Sequence, residues 1–252
     1  MISFGLTSVT FRKLEYKNII DLAVGYGLDG IEWGGDIHVP PGDIHRARKV
    51  YNATVESGLK VLSYGSYYKF GMPGETSGAF KPILETALCL NTKTIRVWAG
   101  TKASALHTCG EIKSIIEDIR DIADTAGEHG IDIAFEYHRG TLTDTSESTL
   151  SLLDGVNREN VKTYWQPNPD ISHESNLCQL KAALPFLKNV HVFNWAAGNV
   201  RLPLREAVGE WEIFFKIIRS SGKSHSMILE FVKDDDPGQL KRDAAALLSM
   251  GK

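Results

Sequence analysis

The sequence predicts a single (β/α)₈ barrel, and three observations support that prediction. The chain has 252 residues, close to the roughly 250 residues typical of one such barrel. Short, β-rich apolar segments alternate eight times with segments of helical period, which favours a parallel sheet. No glycine-rich phosphate fingerprint follows an early strand, as an open doubly wound sheet would usually carry. We therefore expect residues 1–252 to form one closed barrel domain.

Eight strands are predicted in order along the chain. They are Ile2–Leu6, Gly30–Trp33, Lys60–Gly65, Thr94–Trp98, Ile131–His138, Val161–Gln166, Asn189–Asn194 and Met227–Val232. Helix-start signals follow three of these strands. Thr108 and Glu111 predict a capping box before a stripe of isoleucines. Asp144 and Glu147 predict a second start of the same kind, and Asp236-Pro237 predicts the start of the last helix.

Composition and charge exclude several classes of partner. The net charge is −3 and no run of Lys or Arg is present, which argues against nucleic-acid binding. The three cysteines lie far apart and predict reduced thiols rather than disulfides. Neither a signal peptide nor an apolar run of about 18 residues is visible. We expect a cytoplasmic protein with no membrane partner, and a homo-oligomer is compatible with these features.

Strand parity places unexpected polar side chains inside the barrel. Successive side chains of a strand point to opposite faces of the sheet. In the fifth strand Ile133, Phe135 and Tyr137 form the apolar face toward the helices. This parity turns Glu136 and His138 toward the barrel axis, at the C-terminal end of the strand.

The same alternation extends this polar set over the next three strands. Gln166, His191 and Glu230 are predicted to face the axis, whereas Phe231 is predicted to face the helices. A lone buried carboxylate would be costly, and a divalent cation removes that cost. Carboxylate, amide oxygen and imidazole coordinate Mn²⁺, Mg²⁺, Co²⁺ or Zn²⁺. The alternative is a set of separate polar groups solvated at an open barrel mouth.

Several motifs resemble one known superfamily. They are Gly-Tyr-Gly-Leu-Asp-Gly-Ile-Glu at Gly25–Glu32, Ile-Arg-Val-Trp-Ala-Gly at Ile95–Gly100, Phe-Glu-Tyr-His-Arg-Gly at Phe135–Gly140, the strand with His191, and Leu-Glu-Phe at Leu229–Phe231. With these motifs the whole chain resembles the xylose isomerase-like TIM barrels, in particular the sugar phosphate isomerase/epimerase group. The resemblance implies a metal site formed by Glu136, Gln166, His191 and Glu230.

The chain departs from that family pattern at its sixth strand. Many relatives carry Asp-x-x-His there, whereas this chain has Gln166-Pro167-Asn168-Pro169. A glutamine ligand removes one negative charge from the metal site. We therefore expect weaker metal retention and a somewhat stronger Lewis acid, without the substrate contact that the missing histidine makes in relatives.

Other residues are candidates for binding substrate. Arg96 either forms a buried ion pair with Glu32 or reaches a substrate oxygen. His138 either orients a ligand or contacts substrate, and Trp98 is one of four strand-end tryptophans that either face a sugar or fill space. Arg201 follows the seventh strand and is a candidate for an anionic group. Tyr64, Tyr67 and Tyr68 are candidates for the mouth or a lid.

The aspartates at positions 234–236 oppose a phosphate near the eighth strand, so we expect an unphosphorylated sugar, polyol or hydroxy-ketone as substrate. The resemblance implies proton transfer at a carbon next to a carbonyl, by an epimerase or ketose–aldose isomerase. One divalent metal, with Mn²⁺ preferred, would bind adjacent substrate oxygens. Glu136 and Glu230 would each serve as ligand and as acid or base. The alternatives are a lyase that uses the same metal site and a binding barrel without activity.

Overall fold

The structure, a computed structural model, describes residues 1–74 and 77–251. The strands are β1 (Ile2–Thr7), β2 (Gly30–Gly34), β3 (Lys60–Phe70), β4 (Thr94–Ala99), β5 (Asp132–Glu136), β6 (Val161–Trp165), β7 (Leu187–Val192), β8 (Trp195–Ala196), β9 (Val200–Arg201) and β10 (His225–Leu229). The α-helices are α1 (Tyr16–Gly25), α2 (Ile44–Glu56), α3 (Ser77–Cys89), α4 (Cys109–Gly127), α5 (Ser146–Val156), α6 (His173–Ala183), α7 (Val208–Ser220) and α8 (Pro237–Met250). Short 3₁₀ turns span Ser8–Phe11, Ser104–Leu106, Leu184–Phe186, Ala197–Asn199, Leu204–Ala207 and Lys233–Asp235.

Eight parallel strands close into a barrel in the order β1-β10-β7-β6-β5-β4-β3-β2. The strands β8 and β9 form a separate antiparallel hairpin after β7. The predicted TIM barrel is therefore confirmed, and each of the eight predicted segments overlaps a barrel strand. Within the described residues, no helix combines the length and the apolar character needed to cross a membrane.

Four barrel strands end earlier than their sequence patterns predict. The strand β5 ends at Glu136, β6 ends at Trp165, β7 ends at Val192 and β10 ends at Leu229. The residues that follow, including Gln166 and Glu230, lie in the first positions of the loops at the barrel mouth. Strand parity still places Gln166 and Glu230 correctly, one residue beyond their strands, but it fails at Phe231, two residues beyond β10.

Two of the three predicted helix starts are confirmed, and the third is wrong by one residue. Thr108 and Glu111 form a complete capping box at α4. Asp236 caps α8, with Pro237 in the first turn. At α5 the cap is Thr145 rather than Asp144, because the Thr145 hydroxyl accepts from the Ser148 amide. The Asp144 carboxylate instead accepts from the Ser104 amide at 3.1 Å.

We expect Thr108→Ala to lower the free energy of unfolding by about 1 kcal/mol, because the α4 amides lose their capping acceptor. Urea unfolding of the two proteins measures the difference. Thr125→Ala is a matched control on the same helix, since the exposed Thr125 hydroxyl only donates to the Asp121 carbonyl. Equal losses in both variants would show that the capping box contributes nothing specific.

The barrel interior contains little apolar material. The main core lies between the strands and the surrounding helices and includes Ile133 and Phe135. Inside the barrel, a small separate cluster contains only Ala134, Tyr164 and Ile228, with Leu62 against it. Polar side chains fill much of the remaining interior, and these side chains form the site described next.

Candidate metal and substrate site

Three buried side chains converge at the C-terminal mouth of the barrel. Glu136 ends β5, His191 lies in β7 and Glu230 directly follows β10. Each offers one potential ligand atom, and these atoms all lie within 4.8 Å of one another. The alternation of side chains produces this convergence, because each residue has the inward parity at the end of its strand.

His191 is oriented by a carboxylate on the far side of its ring. Its Nε2 atom lies 3.2 Å from Glu32 Oε1. A carboxylate can only accept, so Nε2 carries a proton, and a metal ion would bind at Nδ1 in place of the second proton of the ring. The Nδ1 atom lies 3.6 Å from Glu136 Oε1 and 3.4 Å from Glu230 Oε2. A carboxylate that fixes a histidine in this manner is the usual partner of a metal-ligating imidazole.

Gln166 adds an amide oxygen to the same group. Its Nε2 atom donates to the Tyr137 carbonyl at 2.8 Å, which turns Oε1 inward. That oxygen lies 3.3 Å from His191 Nδ1. Two carboxylates, one amide oxygen and one imidazole nitrogen form a donor set that fits a divalent cation. The buried Glu–His–Glu group could therefore bind a metal, with Gln166 as a possible fourth donor.

Arg96 joins two of the buried carboxylates. Only 1% of this residue is exposed. Its Nε atom lies 3.2 Å from Glu32 Oε1, and its Nη1 atom pairs with Glu136 Oε2. Gly65 makes room for this guanidinium, since a Cβ at position 65 would lie 2.7 Å from Arg96 Nη2. The predicted Arg96–Glu32 pair is therefore present, and it extends to the proposed metal ligand.

The two carboxylates of the candidate metal group are not equivalent. Burial raises the pKa of Glu136, but the positive charge of Arg96 together with the contacts to His191 outweighs burial and holds that pKa well below its usual range. Burial also raises the pKa of Glu230, to about 7, with the charge of Glu136 adding to the effect and that of His191 opposing it. Burial lowers the pKa of His191, but Glu230 and Glu32 overcome it and raise that pKa to about 10.

A chain of buried hydrogen bonds inside the barrel ends at the Glu32 carboxylate. Asn189 Nδ2 donates to the Tyr164 hydroxyl at 2.7 Å, and that hydroxyl donates to Ser63 Oγ at 2.6 Å. Ser63 Oγ then donates to Glu32 Oε2 at 2.7 Å. The sequence analysis missed this chain. Parity could have revealed part of it, because Tyr164 and Asn189 each precede an inward-facing residue by two positions.

A cavity of about 240 Å³ opens above these residues, large enough for one sugar-sized ring. Its walls include Trp98 and His138, two of the predicted substrate contacts. The His138 ring stacks on Trp98 with centroids 4.5 Å apart. Its Nδ1 atom donates to the Arg139 carbonyl at 2.7 Å, which leaves Nε2 as an acceptor in the neutral ring. Trp98 Nε1 donates to Glu136 Oε2.

Arg201 lies outside the described lining of this cavity. Its Nη1 atom pairs with Asp235 at 2.5 Å, and its guanidinium lies 4.5 Å from the centroid of the Phe231 ring. The prediction that Phe231 faces the helices is wrong, because it lines the cavity. The chain has left β10 at this point, and Phe231 adopts a left-handed backbone with φ of 52°.

The remaining aromatic candidates divide into two groups. The first group is completely buried and fills space, and it contains Trp33, Tyr64 and Trp165. The second group lines the cavity, and it contains Tyr67, Trp98 and Trp195. The cavity wall also contains arginines that the sequence analysis did not single out. Arg12 pairs with Asp36, and Arg139 pairs with Asp170. No sequence period marks these arginines, because both lie in loops.

We expect Gln166→Asp to tighten metal binding, because it places a charged oxygen where the amide oxygen now faces His191. The dissociation constant for Mn²⁺, measured by calorimetry, should fall by about tenfold or more, about 1.4 kcal/mol. Asn168→Asp adds the same charge to the same loop and serves as the control. Equal gains in both variants would show that Gln166 does not contact the metal.

Comparisons with known proteins agree with this architecture. A family model described as xylose isomerase-like TIM barrel matches residues 20–250. A 3-dehydroshikimate dehydratase of Bacillus anthracis is 26% identical over 168 residues, which span 64% of this chain and 60% of that relative.

Solved structures also share the fold. The probable 3-DHS dehydratase from Bacillus anthracis superposes with a TM-score of 0.84 at 22% identity, covering 98% of both chains. The 3-keto-D-glucoside 4-epimerase from E. coli gives a TM-score of 0.77 at 17% identity, covering 99% of each chain. The D-psicose 3-epimerase from Clostridium cellulolyticum gives 0.74 at 16% identity, covering 99% of this chain and 98% of that one.

Proposed function

This chain belongs to the xylose isomerase-like TIM barrel family, and on that premise we propose that it is a metal-dependent lyase. The proposed reaction removes water from a polyhydroxylated ketone by taking a proton next to the carbonyl and expelling a hydroxyl from the next carbon. The sequence pattern favours an isomerase that begins with the same proton abstraction. The resemblance to a 3-dehydroshikimate dehydratase supports the lyase, as does one feature of the site.

That feature is the unequal bonding of Glu136 and Glu230. Glu136 Oε2 accepts from both Arg96 and Trp98, so its charge is already stabilised and it is a poor base. Glu230 receives no hydrogen bond from the described residues, and its nearest charged partner there is His191 Nδ1 at 3.4 Å. An epimerase needs a proton-transfer group on each face of the reacting carbon, whereas an elimination needs one base. The inequality therefore favours elimination.

The residues of the site have separate roles in the proposed reaction. Glu136, Gln166, His191 and Glu230 would hold the metal, and Mn²⁺ suits their oxygen-rich set. When bound, the metal supplies positive charge at the carbonyl oxygen of the substrate. The Glu230 carboxylate, which accepts no hydrogen bond from the described residues, takes the proton from carbon. His138 Nε2 accepts from a substrate hydroxyl, and the Trp98 ring forms the wall behind it.

The site favours a carbohydrate-like substrate without phosphate over a phosphate ester. Arg201, the arginine predicted to attract an anion, is engaged by Asp235 and Phe231. Arg139 is similarly engaged by Asp170, and its Nη2 lies 2.5 Å from Asn199 Oδ1. The cavity accommodates one ring. We therefore propose that the substrate is one keto-sugar, one inosose or another cyclic hydroxy-ketone. An example of the last class is 3-dehydroshikimate, after which the dehydratase relative is named.

Epimerisation is the second candidate, because two carboxylates from different strands meet at one point. The two reactions are separated by incubating the Mn²⁺-loaded protein with keto-sugars, inososes and 3-dehydroshikimate in heavy water and following each by NMR. A lyase yields an unsaturated product with loss of water. An epimerase yields an isomer with deuterium at the reacting carbon. A protein that binds Mn²⁺ and leaves every compound unchanged, without exchange, would contradict both proposals and favour a binding barrel.

A further inference from the structure

One tyrosine at the cavity has a backbone conformation that bulky residues rarely adopt. Tyr67 has a φ of 60°, in the left-handed region where the side chain crowds its own backbone. It lies within β3, where the pairing with β4 shifts between Gly65 and Lys69. Between these paired positions β3 advances by four residues, whereas β4 advances by only two, from Arg96 to Trp98. Irregularities of this kind re-aim a side chain, and they are frequent beside active sites.

Neighbouring residues hold the bulge in place. The Ser66 hydroxyl donates to the Arg96 carbonyl at 2.8 Å and accepts from the Tyr68 amide at 3.3 Å. As a result, the Tyr67 ring lines the cavity that contains Glu136 and Glu230.

Two cations flank the Tyr67 ring. The Arg96 guanidinium lies 5.3 Å from the ring centroid and that of Arg12 lies 5.7 Å away. Arg12 Nη2 also donates to the Tyr67 hydroxyl oxygen at 3.0 Å. A hydroxyl oxygen that accepts from a guanidinium keeps its own proton available for donation. Among the described residues, no acceptor takes that proton, so it is free for a ligand in the cavity.

Three other donors around the cavity already have acceptors, whereas Trp195 Nε1 and Arg96 Nη2 have none among the described residues, and neither an indole nor a guanidinium readily gives up its proton. His138 Nδ1 donates to the Arg139 carbonyl, Trp98 Nε1 donates to Glu136 and the amide of Gln166 donates to the Tyr137 carbonyl. Burial outweighs the effect of Arg96 and raises the pKa of Tyr67 to about 12, so the hydroxyl keeps its proton at neutral pH. This proton is therefore available throughout the neutral range.

We propose that Tyr67 is a catalytic residue that donates its proton to the oxygen leaving the substrate, an inference that rests on the proposed lyase function. The base takes the proton from the carbon next to the carbonyl, and that C–H electron pair forms the new double bond. The C–O bond at the next carbon breaks, and its electron pair leaves with the oxygen. That oxygen takes the Tyr67 proton and departs as water. The resulting phenolate lies beside Arg12 and regains a proton from the base through solvent.

The test uses two substrates that differ only in the leaving group, a hydroxy-ketone that the wild-type protein dehydrates and its fluoro analogue. Fluoride departs without a proton, whereas hydroxide needs one. We expect Tyr67→Phe, which retains the ring, to lower kcat/KM for the hydroxy substrate by about 10² to 10⁴-fold. Its effect on the fluoro substrate should stay below about tenfold, because a proton donor is not needed there.

Tyr64→Phe is the matched control, because this tyrosine of the same strand donates to the Val39 carbonyl away from the cavity. Its ratio of hydroxy to fluoro activity should equal that of the wild type. Arg12→Met provides a second variant should Tyr67→Phe fail to fold, and it should lower the same ratio by a smaller factor. Equal losses on both substrates, or no loss, would overturn the role of Tyr67 alone. A wild-type protein that releases neither water nor fluoride would overturn the lyase function and the role of Tyr67 together.

Discussion

Glu230→Gln should abolish both turnover and solvent deuterium exchange, whereas Glu136→Gln should abolish turnover and retain measurable exchange. The reason is the unequal bonding of the two carboxylates, since Arg96 and Trp98 hold Glu136 and leave Glu230 free to take a proton. Loss of a general base costs about 10² to 10⁴-fold in rate. NMR of substrate in heavy water measures exchange, and product formation measures turnover.

Metal content must be measured on the same samples, because both glutamates are proposed ligands and loss of metal imitates loss of a base. Glu117→Gln, a change at an exposed glutamate of α4, is the matched control for the substitution itself. An epimerase with one base on each face predicts a different outcome. Each variant would then exchange deuterium into a different epimer. Full activity of either variant with metal bound would remove that glutamate from the mechanism.

Arg96→Met should lower the free energy of unfolding of the metal-free protein by about 3–5 kcal/mol, the range for breaking a buried ion pair. The substitution leaves Glu32 and Glu136 buried without their shared cation. Arg158→Met is the matched control, because Arg158 pairs with Asp124 at the surface and such a pair contributes about 0–1 kcal/mol. Denaturant unfolding of the three proteins measures the losses, and equal losses would contradict the proposed role.

The same variant should show a distinctive dependence on pH. In the wild type, burial raises the pKa of Glu32 and Glu136, but Arg96 and His191 together outweigh it and hold both pKa values below the unfolded value. Their stabilising contribution is therefore present above the unfolded pKa, near 4.3, and is lost as pH falls through the folded pKa. In Arg96→Met, burial raises the pKa of both carboxyls above the unfolded value. The cost of burying the two negative charges therefore disappears as the pH falls and the carboxyls take up protons. The difference between the two proteins should therefore shrink as the pH falls from the neutral range toward the unfolded pKa of about 4.3.

Strand periodicity predicted much of this site because it depends on local alternation. Glu136 and His191 lie within regular strands, so the parity of their neighbours was sufficient to place them. Phe231 was misplaced because β10 ends two residues earlier and the backbone turns left-handed. Tyr67 could be named only as one of three candidates, because the bulge that aims it depends on pairing with another strand.

Contacts between side chains on opposite sides of the barrel could not be predicted from sequence patterns, for a different reason. Glu32 and His191 are 159 positions apart in the chain, and their contact depends on how the closed barrel brings β2 and β7 toward a common axis. Parity indicates that a residue points inward but not which inward residues meet. The pair between Arg96 and Glu136 was missed for the same reason. From the sequence, Glu136 was assigned to the metal site and Glu32 to the ion pair with Arg96, and the two were not connected.

The hydrogen-bond chain from Asn189 through Tyr164 and Ser63 to Glu32 has a consequence for how this chain diverges over evolutionary time. It occupies interior positions that many such barrels fill with branched aliphatic residues. A descendant that lost its activity could exchange Gln166 freely, but removal of Glu32 or Arg96 alone would leave the other charge buried without its partner. Retention of that buried pair in homologues that have lost Glu230 would therefore report selection for folding. Retention of Glu230 and Tyr67, which the barrel does not need for its interior, would report selection for chemistry.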